Sequence, residues 1–165
     1  MEKIKPIKRS PAIVELSKDH HFALLLVWKI RSGLQKAIEP SRIASYIFHF
    51  FDQELIPHFR AEEELLFIKL TKDNGLRLQA EEEHRNIYRI IDTLRNNPAE
   101  PDMINEFAQA LESHVRFEER ELFNYLQENI SEADLSEIAS ALKLRTRETG
   151  AAWCDVFWEN KKSDK

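Results

Sequence analysis

The feature that most constrains the fold of this chain is a helical spacing of apolar residues over almost its whole length. Side chains three and four positions apart share one face of an α-helix, whereas strand residues alternate at every second position. The helical spacing dominates the 165 residues, which include only three glycines. No Asn-Gly or Asp-Gly pair is flanked by alternating apolar residues, as a β-hairpin requires. The sequence therefore predicts an all-α protein.

Capping residues and prolines divide the helical pattern into five segments. A serine followed by proline, as at Ser10-Pro11, is typical of a helix start, and Ser131 with Asp134 predicts a capping box. Pro57 lies inside the second segment and is expected to kink it. The first segment is predicted to begin at Ser10-Pro11 and the second at Glu39-Pro40-Ser41. The third follows the turn at 73–75, the fourth follows a break at 96–101, and Ser131 opens the fifth.

Four long helices with short connections pack most simply as an up-down-up-down four-helix bundle. The expected organisation is a single domain, 1–165, with a four-helix core at about 11–130. An additional C-terminal helical segment is expected at about 132–160, ending in an apolar stretch that contains Trp153, Phe157 and Trp158. A break between residues 145 and 150 and a frayed tail at the end are also expected.

Composition excludes several classes of function. A net charge of −5 and the absence of a long basic stripe argue against nucleic-acid binding. The longest apolar run, 22–28, is too short to cross a membrane. One cysteine, Cys154, allows neither an internal disulfide framework nor a cysteine zinc site. The expected location is therefore the reducing cytoplasm.

A ten-residue pattern, H-x-R-x-E-E-x-x-L-F, occurs at 58–67 and again at 114–123. It places His58 and Glu62, and likewise His114 and Glu118, one helical turn apart on the same face. With six histidines and 29 acids in the chain, roughly one such pair is expected by chance. The significance of the two pairs lies in their duplication and in their position on the apolar stripes.

The other two long helices each add a histidine to their apolar stripe. These are His84 on the third helix and either His20 or its neighbour His21 on the first. A lone histidine in a core is usually hydrogen-bonded structure, but four at matching depth would converge on the bundle axis. The expected result is one interior layer of four imidazoles and two carboxylates.

Buried glutamates need a counter-charge, because a desolvated carboxylate is unfavourable unless it is paired or bound to metal. Arg60 and Arg116 cannot provide it, since each points about 200° away from the paired glutamate around its helix. Imidazole and carboxylate ligands without thiolate suit iron, manganese or zinc. Six protein ligands fit two ions that share bridging carboxylates and a bridging oxo or hydroxo group. A ferritin-like site is disfavoured, because Glu81-x-x-His84 is the only Glu-x-x-His turn.

In this order of histidines and glutamates the chain resembles the hemerythrin-like proteins of the His-His-Glu cation-binding group. The resemblance covers about residues 11–130 and implies two iron ions. Asp19-His20 matches the acid-histidine pair of the family better than His21 does. His21 remains an alternative ligand. The metal ligands that the resemblance implies are His20, His58, Glu62, His84, His114 and Glu118.

Two departures limit what the resemblance implies. The oxygen-carrying members have two histidines four residues apart on the third helix, where this chain has Ala80 before His84. They also have His-x-x-x-x-Asp on the fourth helix, where this chain has Glu118 and Glu119. Simple reversible oxygen carriage is therefore not expected. Tyr88, one turn from His84, could donate to a bound oxygen species or ligate iron, although core packing is the commoner role of such a tyrosine. Glu54 is expected to orient His58.

The predicted function is a non-haem di-iron protein that binds or senses oxygen, peroxide, nitric oxide or iron. The expected partner is a small diatomic or peroxide ligand, and the sequence does not determine the oligomeric state. The alternative is a regulatory or protein-interaction module with a structural or vestigial site that holds zinc, manganese or no metal. In that alternative the aromatic C-terminal segment would dock a partner. An enzyme, such as a peroxide-consuming one, is the weakest of the three hypotheses.

Overall fold

A computed structural model of the chain describes residues 8–145 and 153–160. Within these ranges the backbone is helical apart from short connections, and no strand occurs. The prediction of an all-α protein is confirmed. The described helices are also all too short or too polar to span a lipid bilayer.

The long helices and α7 begin at or next to the predicted caps and breaks. The α-helices are α1 (Pro11–Gln35), α2 (Pro40–Phe50), α3 (Ile56–Ala61), α4 (Gly75–Asn96), α5 (Pro101–Phe117), α6 (Phe123–Asn129) and α7 (Glu132–Leu144). The second long helix, 40–69, comprises α2 and α3 with two five-residue π-helical turns, Phe51–Leu55 and Glu62–Leu66, and it ends in a 3₁₀ turn, Phe67–Lys69. The fourth long helix, 101–129, comprises α5 and α6 with the π-helical turn Glu118–Leu122 between them.

Side-chain caps explain the sharp helix starts. The Ser10 hydroxyl accepts a hydrogen bond from the backbone N–H of Ile13, and the Asn74 side chain accepts from the first turn of α4. The Ser131 hydroxyl accepts from the N–H of Asp134, as the predicted capping box requires. Because these contacts span only two or three residues, they could be recognised in the sequence.

The irregularity expected at Pro57 takes the form of a π turn. Pro57 lies in the first turn of α3, directly after the turn Phe51–Leu55, and the N–H of Ile56 bonds to the carbonyl of Phe51, five residues back. A π turn inserts one extra residue into the helical ladder. Proline, which lacks an N–H, is tolerated at such a restart of the helix.

The apolar core consists of two clusters with polar residues between them along each long helix. One cluster includes Leu26, Ile47 and Phe107, and the other includes Leu16 and Phe123. The helices pack in several pairs, including α1 with α5, α4 with α5 and α1 with α7. The six candidate ligands therefore lie in a layer that apolar side chains enclose from both ends.

The segment after Ser131 is helical in its first part only. Helix α7 ends at Leu144, directly before the break expected from residue 145, whereas residues 153–160, which were expected to be helical, form turns. Within those turns Phe157 is buried and lies 5.9 Å from the ring of Tyr46. A side chain at Gly33 would clash with Phe157, so glycine permits this close approach. The predicted break, apart from Arg145, and the tail after residue 160 lie outside the described residues.

Candidate metal centre

The structure brings all six candidate ligands into one buried layer. Each of the six residues is at most 3% exposed. The first helix contributes His20, whereas His21 points to the surface and is exposed. The second long helix contributes His58 and Glu62, α4 contributes His84, and the fourth long helix contributes His114 and Glu118.

The two glutamates of the layer each open a π turn. Glu62 is the first residue of the turn 62–66 and Glu118 the first residue of the turn 118–122. Such turns often occur at functional sites, because the extra residue changes the direction of the side chains around it. The repeat in the sequence is therefore also a repeat of an uncommon backbone geometry.

The six side chains form two groups of four that share both glutamates. One group contains His20 and His58, the other contains His84 and His114, and Glu62 and Glu118 belong to both. Within each group the candidate ligand atoms lie within 4.8 Å of one another.

Each shared carboxylate directs one oxygen to each group. Glu62 Oε1 lies 2.8 Å from His58 Nε2, and Glu62 Oε2 lies 3.2 Å from His84 Nε2. Glu118 Oε2 lies 2.9 Å from His20 Nε2, and Glu118 Oε1 lies 3.1 Å from His114 Nε2. Two carboxylates that divide their oxygens in this way have the arrangement of bridging ligands between two cations.

The inner atoms of this layer fit a cation better than they fit one another. Both oxygens of Glu62 and of Glu118, and the Nε2 atoms of His20 and His58, are buried without a hydrogen-bond partner of suitable geometry. Buried polar atoms normally have partners, and leaving charged groups without them is strongly unfavourable. Metal ions bound by imidazole nitrogen and carboxylate oxygen would satisfy these atoms.

The charges of the layer depend on one another. Burial and the nearby Glu118 would each raise the pKa of Glu62, but the imidazoles of His58 and His20 lower it to about 2. Burial lowers the pKa of His20, yet the carboxylates of Glu118 and Glu119 raise it well above its usual value. The carboxylates are therefore ionised at neutral pH, as metal ligands must be.

The outer nitrogen of every histidine in the layer also meets a carboxylate. His20 Nδ1 lies 2.7 Å from Glu119, and His58 Nδ1 lies 2.8 Å from Asp19. His84 Nδ1 lies 2.8 Å from Glu63, and His114 Nδ1 lies 3.3 Å from Glu83. All four contacts join residues that are at least 21 positions apart in the sequence.

Sequence reasoning did not identify these four acids as partners of the histidines. It assigned the orientation of His58 to Glu54, whereas the Nδ1 atom of His58 contacts Asp19. Glu54 lines a small cavity together with Asp19 and His58. The available signal was an acid beside a candidate ligand on each long helix, in Asp19-His20, Glu62-Glu63, Glu83-His84 and Glu118-Glu119.

Aromatic rings cover the imidazoles. Phe59 stacks on His84 with ring centroids 4.0 Å apart, and Phe123 stacks on His20 at 5.1 Å. Tyr88 contacts the rings of Phe51 and Phe59, and burial together with the charge of Glu63 raises the pKa of its hydroxyl. These rings exclude water from the layer and restrict rotation of the imidazoles.

Comparison with models of known protein families gives a match over most of the chain. The family model described as the hemerythrin HHE cation-binding domain matches residues 12–126, which include all six residues of the buried layer. No curated protein and no solved structure matches the chain.

Proposed function

Because the chain belongs to the hemerythrin HHE cation-binding domain family, we propose that it is a non-haem di-iron protein. His20, His58, Glu62, His84, His114 and Glu118 would hold the two ions. The observation that carries the proposal is the pair of shared glutamates, each with one oxygen toward each pair of histidines. The proposal includes the up-down-up-down arrangement of the four long helices.

The donor chemistry favours iron over a closed structural site. Each group of four offers two imidazole nitrogens and carboxylate oxygens, and no described cysteine lies among them. Iron usually accepts five or six ligands, so two ions sharing these donors would retain positions for an oxygen bridge and a small external ligand. Zinc or manganese could be held by the same donors.

The bound ions would supply redox chemistry and open coordination positions for a small diatomic molecule or peroxide. The protein excludes bulk water, since its six candidate ligands are nearly inaccessible. Ala80, one turn before His84, is completely buried and occupies the place where oxygen carriers have another histidine. The chain therefore offers one imidazole fewer, which favours binding or sensing of oxygen, peroxide, nitric oxide or iron over simple oxygen carriage.

The alternative is a regulatory or protein-interaction module, with a structural zinc or manganese ion or with no metal. The aromatic C-terminal segment contributes little to this alternative, because Phe157 is buried against the chain itself. A different surface favours it, since α1 exposes Phe22, Leu25 and Trp28 at three-residue spacing. The main proposal does not include catalysis. The expected location of the protein is the cytoplasm.

Metal analysis of the full chain tests the main proposal. Protein purified from iron-supplemented cells without chelators should contain about two iron ions per chain, with the near-ultraviolet absorption of an oxygen-bridged ferric pair after exposure to air. The double variant His58→Ala/His114→Ala should contain little iron. The variant His21→Ala/His49→Ala is the matched control, because His21 is exposed and His49 is only half-buried.

The results distinguish the two functions. A wild-type chain that contains almost no iron and binds none on reconstitution would contradict the di-iron proposal. Loss of metal in His58→Ala/His114→Ala, with unchanged melting and unchanged binding of a protein partner, would favour the interaction module.

A further inference from the structure

The four carboxylates at the outer nitrogens form a closed ring around the layer. Asp19 on α1 contacts the histidine of the second long helix, and Glu63 on that helix contacts the histidine of α4. Glu83 on α4 contacts the histidine of the fourth long helix, and Glu119 on that helix contacts the histidine of α1. Every long helix thus supports the imidazole of the next one.

Sequence adjacency explains how one helix both supplies a candidate ligand and supports the imidazole of the next helix. Each acid of the ring is the immediate neighbour of a candidate ligand, and consecutive helical residues point about 100° apart. The ligand therefore points to the axis while its neighbour points sideways to the adjacent helix. For Glu63 and Glu119 the π turns that begin one residue earlier provide this direction.

A carboxylate at Nδ1 determines which imidazole nitrogen can bind a cation. An ionised carboxylate only accepts hydrogen bonds, so Nδ1 must carry the proton and donate it. The lone pair of a neutral imidazole is then on Nε2, which is the nitrogen directed to the shared glutamates in all four histidines. Such a contact also makes the imidazole a stronger ligand.

Further contacts hold Glu119 itself in place. Arg9 forms an ion pair with its carboxylate, and Arg9 Nη2 donates to the Glu119 carbonyl oxygen at 3.0 Å. Asp19 is largely buried, with 10% of its side chain exposed. The acids that support His20 and His58 are thus fixed by the fold and are not mobile surface groups.

We propose that Asp19, Glu63, Glu83 and Glu119 are positioning residues, and that each supports only one of the two cation positions. Asp19 and Glu119 support the position formed by His20 and His58. Glu63 and Glu83 support the position formed by His84 and His114. This inference rests on the proposed metal pair, but the hydrogen bonds themselves can be observed without any metal.

Two double variants separate the two cation positions. In Asp19→Asn/Glu119→Gln and in Glu63→Gln/Glu83→Gln, the amide can either donate or accept, so it no longer requires the proton on Nδ1. Each variant is expected to weaken zinc binding at its own position by about 10–100-fold. Competition with a chromophoric chelator measures the two affinities, with zinc as the diamagnetic probe.

Nuclear magnetic resonance supplies a readout that a purely structural role would not change. Long-range ¹H–¹⁵N correlations report which ring nitrogen carries the proton. Wild-type protein, both zinc-loaded and metal-free at a pH high enough to leave the imidazoles neutral, should show Nδ1–H signals for all four buried histidines. Asp19→Asn/Glu119→Gln should lose or shift those of His20 and His58 and retain those of His84 and His114.

Exposed acids on the same helices provide matched controls. Glu15→Gln/Glu121→Gln serves the first pair and Glu64→Gln/Glu82→Gln the second, since these four side chains lie on the surface. The inference is overturned if the wild type lacks the Nδ1–H signals, or if either ring variant behaves like its control. It is also overturned if both variants affect both positions equally. Failure of the wild type to bind any metal, with the four signals present, would count against the proposed function alone.

Discussion

The carboxylates of Glu62 and Glu118 connect metal binding to stability, and replacing both by glutamine separates the two effects. Both side chains are fully buried, and their oxygens lack hydrogen-bond partners. In the metal-loaded protein these oxygens would bind cations. In the metal-free protein they are charges buried beside imidazoles. We predict that Glu62→Gln/Glu118→Gln loses metal and also melts below the metal-free wild type.

The size of the metal effect follows from linkage. An ion that binds only the folded chain stabilises it by about 2.7 kcal/mol when its free concentration is 100 times its Kd. Two such ions would contribute about 5 kcal/mol. In a chain of this size each kcal/mol changes Tm by about 2–4 °C, so chelation should lower the wild-type Tm by about 10–20 °C.

The metal-free comparison has the same sign. Although burial would raise it, the imidazoles hold the pKa of Glu62 at about 2, so at neutral pH the ionised carboxylate stabilises the folded chain. Removing one partner of a buried ionic contact typically destabilises a protein by about 3–5 kcal/mol, because the other partner loses its counter-charge. Glutamine keeps the shape of glutamate, so the variant should melt below the metal-free wild type through the loss of charge, and its Tm should not change with chelator.

Calorimetric melting with and without chelator, combined with metal analysis of the same samples, measures both effects. Glu64→Gln/Glu121→Gln is the control, because these exposed glutamates lie in the same two π turns. The reasoning is refuted if removal of the metal leaves the wild-type Tm unchanged. It is also refuted if Glu62→Gln/Glu118→Gln melts at or above the metal-free wild type.

Three further predictions concern the first helix, the packing of the C-terminal turns and pH. His20→Ala should lower metal content by at least half and His21→Ala should not, because only His20 is buried in the layer. Equal losses of metal in the two variants would contradict the assignment of His20. Gly33→Ala should destabilise the chain by about 1–3 kcal/mol through its clash with Phe157. Gly75→Ala is the control, because a side chain there meets open space. Denaturant unfolding compares the free energies of unfolding of the two variants. Burial lowers the pKa of the four buried histidines, but neighbouring carboxylates raise it overall, so metal binding should release protons and weaken as the pH falls. Calorimetry in buffers of different ionisation enthalpy measures this release, and a heat independent of buffer would contradict it.

Much of the fold was predictable because helix formation is governed by local signals. The caps at Ser10, Asn74 and Ser131 act over two or three residues, and the apolar spacing gives both the helical class and its buried face. The turns at 153–160 were not predicted, since the apolar residues near Phe157 resemble a further helical segment. Those residues pack onto Tyr46 as turns instead of extending the helix.

By itself the sequence determined the all-α class and a set of six residues with the chemistry of a metal site, because spacing places His58 with Glu62 and His114 with Glu118 on one helical face. The tertiary structure alone decided how those residues meet. It turned His20 inward and His21 outward, gave each shared glutamate one oxygen for each pair of histidines, and joined every imidazole to a carboxylate of the preceding helix in the ring. These features depend on the rotation and relative height of whole helices. The packing of many residues that are distant in the sequence fixes both, so a local sequence pattern cannot predict them.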